Sequence, residues 1–130
     1  MAILIVEDNA TNAMILKHLA RKAADVEVLI EADATAALKL CHNTFFELLI
    51  VDQVLPGMTG LQFVKAIRQL PRYDSVPTIM VTADQDPKLR EEALRIGVTD
   101  FLTKPVETLR FRAIVSTFLE RSAQPARAYG

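Results

Sequence analysis

Three carboxylates, one hydroxyl and one amine stand in this 130-residue chain at the ends of strand-like runs, and together they could handle a phosphoryl group. Glu7 and Asp8 follow AILIV, Asp52 follows LLIV, Thr82 closes TIMVT, and Lys104 comes shortly after Leu102. Carboxylates drawn together repel. A hard divalent cation relieves that repulsion through oxygen ligands, and magnesium suits a few carboxylates joined by phosphate and water. Calcium or manganese could substitute, because the ligands are all oxygen. With Glu7 and Asp8 offset in this way, Asp52 can act as a carboxylate nucleophile toward phosphorus. The Thr82 hydroxyl and the Lys104 ammonium then stabilise the charge spread over the equatorial phosphoryl oxygens.

Such convergence needs a scaffold that brings strand ends to one rim. Short β-rich runs at Ala2–Val6, Val26–Glu31, Glu47–Asp52, Thr78–Thr82 and Val98–Leu102 alternate with segments of helical period. The third and fourth runs are nearly all apolar, as in a sheet covered on both faces. Ile15, Leu16 and Leu19 form the stripe of the first helix, and Ala34, Ala37, Leu38 and Cys41 that of the second. Gly60, Phe63, Val64 and Ile67 mark the third helix, and Phe111, Ile114, Val115, Phe118 and Leu119 the fifth. Asp86 and Pro87 have the chemistry of a cap and first turn for the fourth, which Gly97 should end. Five such repeats predict a doubly wound α/β fold with a parallel sheet. In that architecture the ligand crevice lies beyond the carboxyl ends of the strands, where all five chemical groups fall.

Composition narrows the function. Hydrophobic residues make up 51% of the chain, enough for one well-buried core, and 15 basic against 16 acidic residues leave a net charge of -1. No global field draws nucleic acid or a membrane surface. The single cysteine, Cys41, excludes an internal disulfide and reads as a small core residue. His18 and His42 lack zinc spacing and read as solvated. With no apolar segment of signal or spanning length, the expected setting is cytoplasmic. Residues 1–121 are expected to form the domain, and 122–130 a tail or the start of a linker.

VED at residues 6–8, LLIVDQVLPGMTG at 48–60, TIMVTA at 78–83 and GVTDFLTKP at 97–105 together resemble the receiver domain of two-component response regulators, of the chemotaxis-regulator kind. The resemblance runs from Ala2 to about Arg121. It implies strand order 2-1-3-4-5 with five helices, Asp52 as phosphoacceptor, and Glu7, Asp8, Asp52 and the Val54 backbone carbonyl around the metal. It also implies Thr82 as switch hydroxyl, Phe101 as aromatic switch, Lys104 as the phosphoryl-binding lysine, and a cis Lys104–Pro105 bond. The implied donor is a sensor histidine kinase or histidine phosphotransfer protein. The implied output is a changed face of fourth helix, fifth strand and fifth helix, met by a downstream protein, an output domain or a second copy. Phosphotransfer and dephosphorylation would be self-catalysed, without enzymatic turnover of another substrate.

Taken singly, each residue has a plainer reading: Glu7 or Asp8 as helix-start acids, Asp52 as turn chemistry, Thr82 as a strand residue, Lys104 as a loop charge. Their coincidence on one rim favours the site. A dehalogenase-like phosphatase expects a second acid two residues after the nucleophile, where Val54 stands. A flavin carrier expects small and hydroxyl residues in the first loop, where VEDNATN places two carboxylates. The resemblance implies that two positions bear on the phosphoryl lifetime. Val54 cannot hydrogen-bond an attacking water, whereas Asp84, two beyond Thr82, could orient water or repel a hydroxide-like nucleophile.

Overall fold

The computed structural model describes residues 1–123. Five strands, β1 (Ala2–Val6), β2 (Glu27–Glu31), β3 (Leu48–Val51), β4 (Thr78–Thr82) and β5 (Asp100–Thr103), form one sheet. Its order is β2-β1-β3-β4-β5, with every pairing parallel. Five α-helices connect and follow them: α1 (Ala10–Ala23), α2 (Ala34–Asn43), α3 (Gly60–Ile67), α4 (Pro87–Arg95) and α5 (Thr108–Ala123). The fifth helix thus continues through Ala123, and the rest of the expected tail lies outside the described residues.

The strand pleat sorts side chains into two cores. Leu4, Val6, Leu49, Val51, Met80 and Phe101 face α2, α3 and α4, where Ala37, Cys41, Phe63, Val64, Ile67, Leu89 and Ala93 meet them. Ile3, Ile5, Leu48, Ile50, Ile79, Val81 and Leu102 face α1 and α5, against Leu16, Ala20, Phe111, Val115 and Leu119. Neighbouring residues on one strand therefore serve opposite layers, as a period of two requires. This is why the central strands are apolar throughout.

Short polar side chains start the helices by taking backbone N–H groups that have no intrahelical acceptor. Asn9 accepts from Asn12 N–H at 2.9 Å and Asp33 from Thr35 N–H at 2.9 Å. Thr59 and Gln62 form a reciprocal capping box on α3. Asp86 accepts from Lys88 N–H at 3.0 Å, with Pro87 in the first turn of α4.

Two sequence expectations shift. The fifth strand begins at Asp100, two residues later than its apolar run suggests, because the end of α4 captures the intervening chain. Gly97 takes φ +109° and Val98 N–H bonds back to Ala93 O at 2.9 Å, so Val98 is buried as part of the helix stop. Ile15 is 52% exposed, because α1 packs through Ala13, Leu16 and Ala20 instead.

At the end of the sheet where β4 begins, away from the strands' carboxyl ends, Arg68 acts as a clasp. Its guanidinium donates to Tyr73 O (2.6 Å), Val76 O (2.9 Å), Thr78 Oγ1 (3.0 Å) and Gly97 O (2.7 Å). One planar donor group thereby joins α3, the start of β4 and the turn after α4.

Candidate functional site

Four of the five strands, all but β2, deliver a polar group to one rim. Glu7 and Asp8 follow β1, Asp52 follows β3, Thr82 closes β4, and Lys104 follows β5. Glu7, Asp52 and Thr82 are buried at 2%, 8% and 1% exposure, whereas Asp8 is exposed. Glu7, Asp8 and Asp52 can each offer a carboxylate oxygen within 4.8 Å of the others. Lys104 Nζ reaches into this group, 2.5 Å from Glu7 Oε1 and 3.1 Å from Asp52 Oδ2.

Backbone donors fix the carboxylates further. Asp52 Oδ1 accepts from Gln53 N–H at 2.7 Å, and Glu7 Oε2 from Asn9 N–H at 3.2 Å. Burial pushes the Glu7 carboxyl above its ordinary value, against the pull of the bonds from Lys104 and Asn9, while the charge of Asp52 adds to the rise. For Lys104, burial works against the ammonium, but the bonds to Glu7 and Asp52 outweigh it and hold its pKa above the ordinary lysine value. The ammonium stays charged between two carboxylates.

The donor set decides what this cluster can hold. Every side-chain ligand is a carboxylate oxygen, which suits magnesium or manganese rather than a nitrogen- or sulfur-seeking metal. One ammonium among three carboxylates leaves a formal excess of two negative charges, the charge of one divalent cation. The residues fit the group.

Around the cluster, Val54 is 69% exposed in the loop after Asp52. Thr82 Oγ1 accepts from Asp84 N–H at 3.3 Å, and Asp84 Oδ1 accepts from Asp86 N–H at 2.9 Å. Phe101 is 2% exposed on β5, with the Arg90 guanidinium 5.8 Å from its ring centroid. The Lys104–Pro105 peptide is cis. His18 and His42 are exposed and Cys41 is buried, away from the cluster.

Gly60 also belongs to this site, and sequence reasoning assigned it only to the stripe of α3. A Cβ there would lie 2.3 Å from Asp52 O and 2.9 Å from Gln53 Cα, so its bare backbone lets α3 start directly against the Asp52 peptide. The readable signal was a glycine at the first position of a capped helix, where most residues form helix better. Gln53 supports the same junction by accepting from Leu61 N–H at 2.9 Å through its side-chain oxygen.

Residues 3–116 match the family described as response regulator receiver domain, and the chain belongs to that family. It is 33% identical over 121 residues to chemotaxis protein CheY of Pseudomonas aeruginosa, covering 93% of this chain and 98% of that one. It is also 35% identical over 123 residues to the cyclic di-GMP phosphodiesterase response regulator RpfG of Xanthomonas campestris pv. campestris, covering 94% of this chain but only 32% of that longer protein. Among solved structures, the receiver domain of the Pseudomonas aeruginosa sensor histidine kinase PA1611 superposes with a TM-score of 0.82 at 27% identity. That match covers 92% of this chain and 97% of that one, and a magnesium ion is coordinated in that domain's active-site cleft.

The chain is therefore a receiver domain of the two-component type, a class of phosphorylation-dependent signalling switches rather than conventional enzymes. Receivers work with histidine kinases and output domains, and bind magnesium in an acidic pocket. Among the described residues, no helix is long and apolar enough to cross a membrane.

Proposed function

We propose that this receiver takes a phosphoryl group on Asp52 from a sensor histidine kinase or a histidine phosphotransfer protein and answers by altering its α4-β5-α5 face. The observation that carries this reading is the meeting of Asp52, Glu7, Asp8 and Lys104 at one rim. An Asp52 carboxylate oxygen forms the bond to phosphorus as the bond to the donor's histidine nitrogen breaks, and the imidazole leaves with that electron pair. Glu7, Asp8, Asp52 and the Val54 backbone carbonyl would hold magnesium, which when bound would supply positive charge to offset that of an anionic carboxylate meeting an anionic phosphoryl group. Lys104 donates to the phosphoryl oxygens, and the Thr82 hydroxyl swings in to donate to another.

Movement of Thr82 vacates space on the side where Phe101 packs. The Phe101 ring, already 2% exposed, repacks deeper into that space and α4 resettles, two discrete arrangements biased by one new group. Lys88, Glu91, Glu92, Arg95, Arg110 and Arg112 give the face mixed charge, suited to a downstream protein, an attached output domain or a second copy of the chain. Met14, Ile15 and Leu109 are exposed large apolar residues, and Ile15 lines a groove with Lys104, Pro105 and Val106 beside the acidic cluster. A protein donor reaching Asp52 would find apolar surface there.

Incubation with a small phosphodonor and magnesium should add one phosphoryl mass, stable to acid and labile to base, and Asp52→Asn should abolish it. Labelling of the Asn variant removes Asp52 from the mechanism. Labelling undiminished by a chelator removes the metal.

A further inference from the structure

Asp84 occupies a position from which a carboxylate could act on water near the phosphoryl group, but its bonds point elsewhere. Its N–H donates to Thr82 Oγ1 at 3.3 Å, and its Oδ1 accepts from Asp86 N–H at 2.9 Å. Asp86 repeats the pattern, its Oδ1 accepting from Lys88 N–H at 3.0 Å in the first turn of α4. Three hydrogen bonds in series thus run from a buried hydroxyl at the end of β4, along residues 82–88, to the start of a helix. The Asp84 side chain is the middle fastening, and the only one whose removal leaves both the Thr82 hydroxyl and the α4 cap in place.

We propose that Asp84 is a positioning residue that sets how readily Thr82 leaves its present place, by holding the β4–α4 connection through the acceptor Oδ1. The inference rests on the reading of Thr82 as the switch hydroxyl. In the structure described here, the hydroxyl oxygen is an acceptor for the Asp84 N–H. A hydroxyl can accept one bond while donating another, so it is the swing of Thr82 toward a phosphoryl oxygen, and not the donation itself, that strains this bond. The segment carrying the Asp84 N–H must then give, and the bond from Asp86 N–H to Asp84 Oδ1 resists this. Loss of that acceptor weakens the resting arrangement without adding a contact to the engaged one, so the equilibrium moves toward engagement. Asparagine keeps a carbonyl oxygen at the same place and removes only the charge.

The test is a titration of wild type, Asp84→Ala and Asp84→Asn with beryllofluoride, a phosphoryl mimic, at fixed magnesium. The amide resonances of Thr82, Phe101 and α4 report the response. Asp84→Ala should reach half-response at a mimic concentration about two- to tenfold lower, the range that the net worth of one hydrogen bond allows. Asp84→Asn should return the half-response to the wild-type value. An alanine variant that responds like wild type overturns the proposal, and so does an asparagine variant that behaves like alanine, since charge rather than the acceptor would then matter. A wild-type chain whose amides ignore the mimic sinks the switch reading itself, a result distinct from either.

Discussion

Lys104 Nζ sits closer to Glu7 Oε1, at 2.5 Å, than to Asp52 Oδ2, at 3.1 Å. The ammonium is thus anchored on the carboxylate that is 2% exposed and leans toward the one proposed to react. Removing it strands a buried acid. Lys104→Ala should cost on the order of 3 kcal/mol in denaturant unfolding without magnesium, as for other buried pairs that lose one partner. It should impair the conformational response to phosphorylation more than magnesium affinity. The chain has no tryptophan, so calorimetry is the suitable measure of binding. Equal loss of response and affinity would mean that Lys104 chiefly holds the loop together.

Val54 lies two residues beyond the proposed phosphoacceptor and is 69% exposed. In the proposed function a branched apolar group there would shield phosphorus and could not hold a water in line. Val54→Asn should speed the loss of phosphate from phosphorylated Asp52, by up to ~10²-fold, the scale on which misplacing a reacting group matters. The comparison is of decay rates at equal magnesium. A variant that decays no faster returns control of the lifetime to another residue or to a separate phosphatase.

Gly60 and Gly57 separate close approach from backbone strain. A Cβ on Gly60 meets backbone at 2.3 Å and 2.9 Å, whereas on Gly57 it meets only side chains of Thr35 and Asp33, at 3.4 Å and 3.5 Å. Gly57 has φ +86°, so Gly57→Ala should lose about 1–2 kcal/mol from the left-handed conformation alone. Gly60→Ala should lose about 3 kcal/mol or more, because neither neighbour is a flexible side chain. It should also slow phosphoryl uptake by displacing Asp52. Equal unfolding midpoints for the two variants would refute the distinction.

Stability should fall at alkaline pH through two buried groups far from the site. Burial pushes the Cys41 thiol from 9.0 up to about 11 and the Tyr73 phenol from 10.0 up to about 12. Both folded values are raised, so their contribution is complete below about pH 9 and lost as pH climbs to about 12. A two-unit shift is worth about 3 kcal/mol at most for each group. Urea midpoints at pH 8, 10 and 11 should decline, and Cys41→Ala should delay the onset. A flat profile to pH 11 would contradict the assignment.

Much of this was legible before any coordinates. Asp52, Thr82 and Lys104 could be placed because a parallel sheet sends strand ends to one side, and apolar runs make strand ends readable. Less legible were groups whose meaning lies in a distance. Gly60 looked like a packing position because nothing local reveals that Asp52 O lies against it. Arg68 passed unnoticed because its four acceptors come from residues 73, 76, 78 and 97, which only folding assembles. The start of β5 was misplaced because Val98 has strand chemistry, while its N–H is taken by Ala93 O. In the sequence Asp84 reads as open between two actions on water, and only the folded chain shows its Oδ1 accepting from Asp86 N–H.

The Arg68 clasp has a mechanical corollary. With Gly97 O held at 2.7 Å by the guanidinium, the proposed switching of α4 would be that of a lever whose fulcrum lies just past its carboxyl end. Its nine residues give an arm of roughly 13 Å, so a shift of about 1 Å at Pro87 becomes a rotation of about 4°. Travel along the arc would be greatest at Lys88, intermediate at Glu91 and least at Arg95, and Arg90, whose guanidinium lies 5.8 Å from the Phe101 ring centroid, would shift against that ring. A partner that reads this helix would therefore gain most by gripping its amino-terminal half.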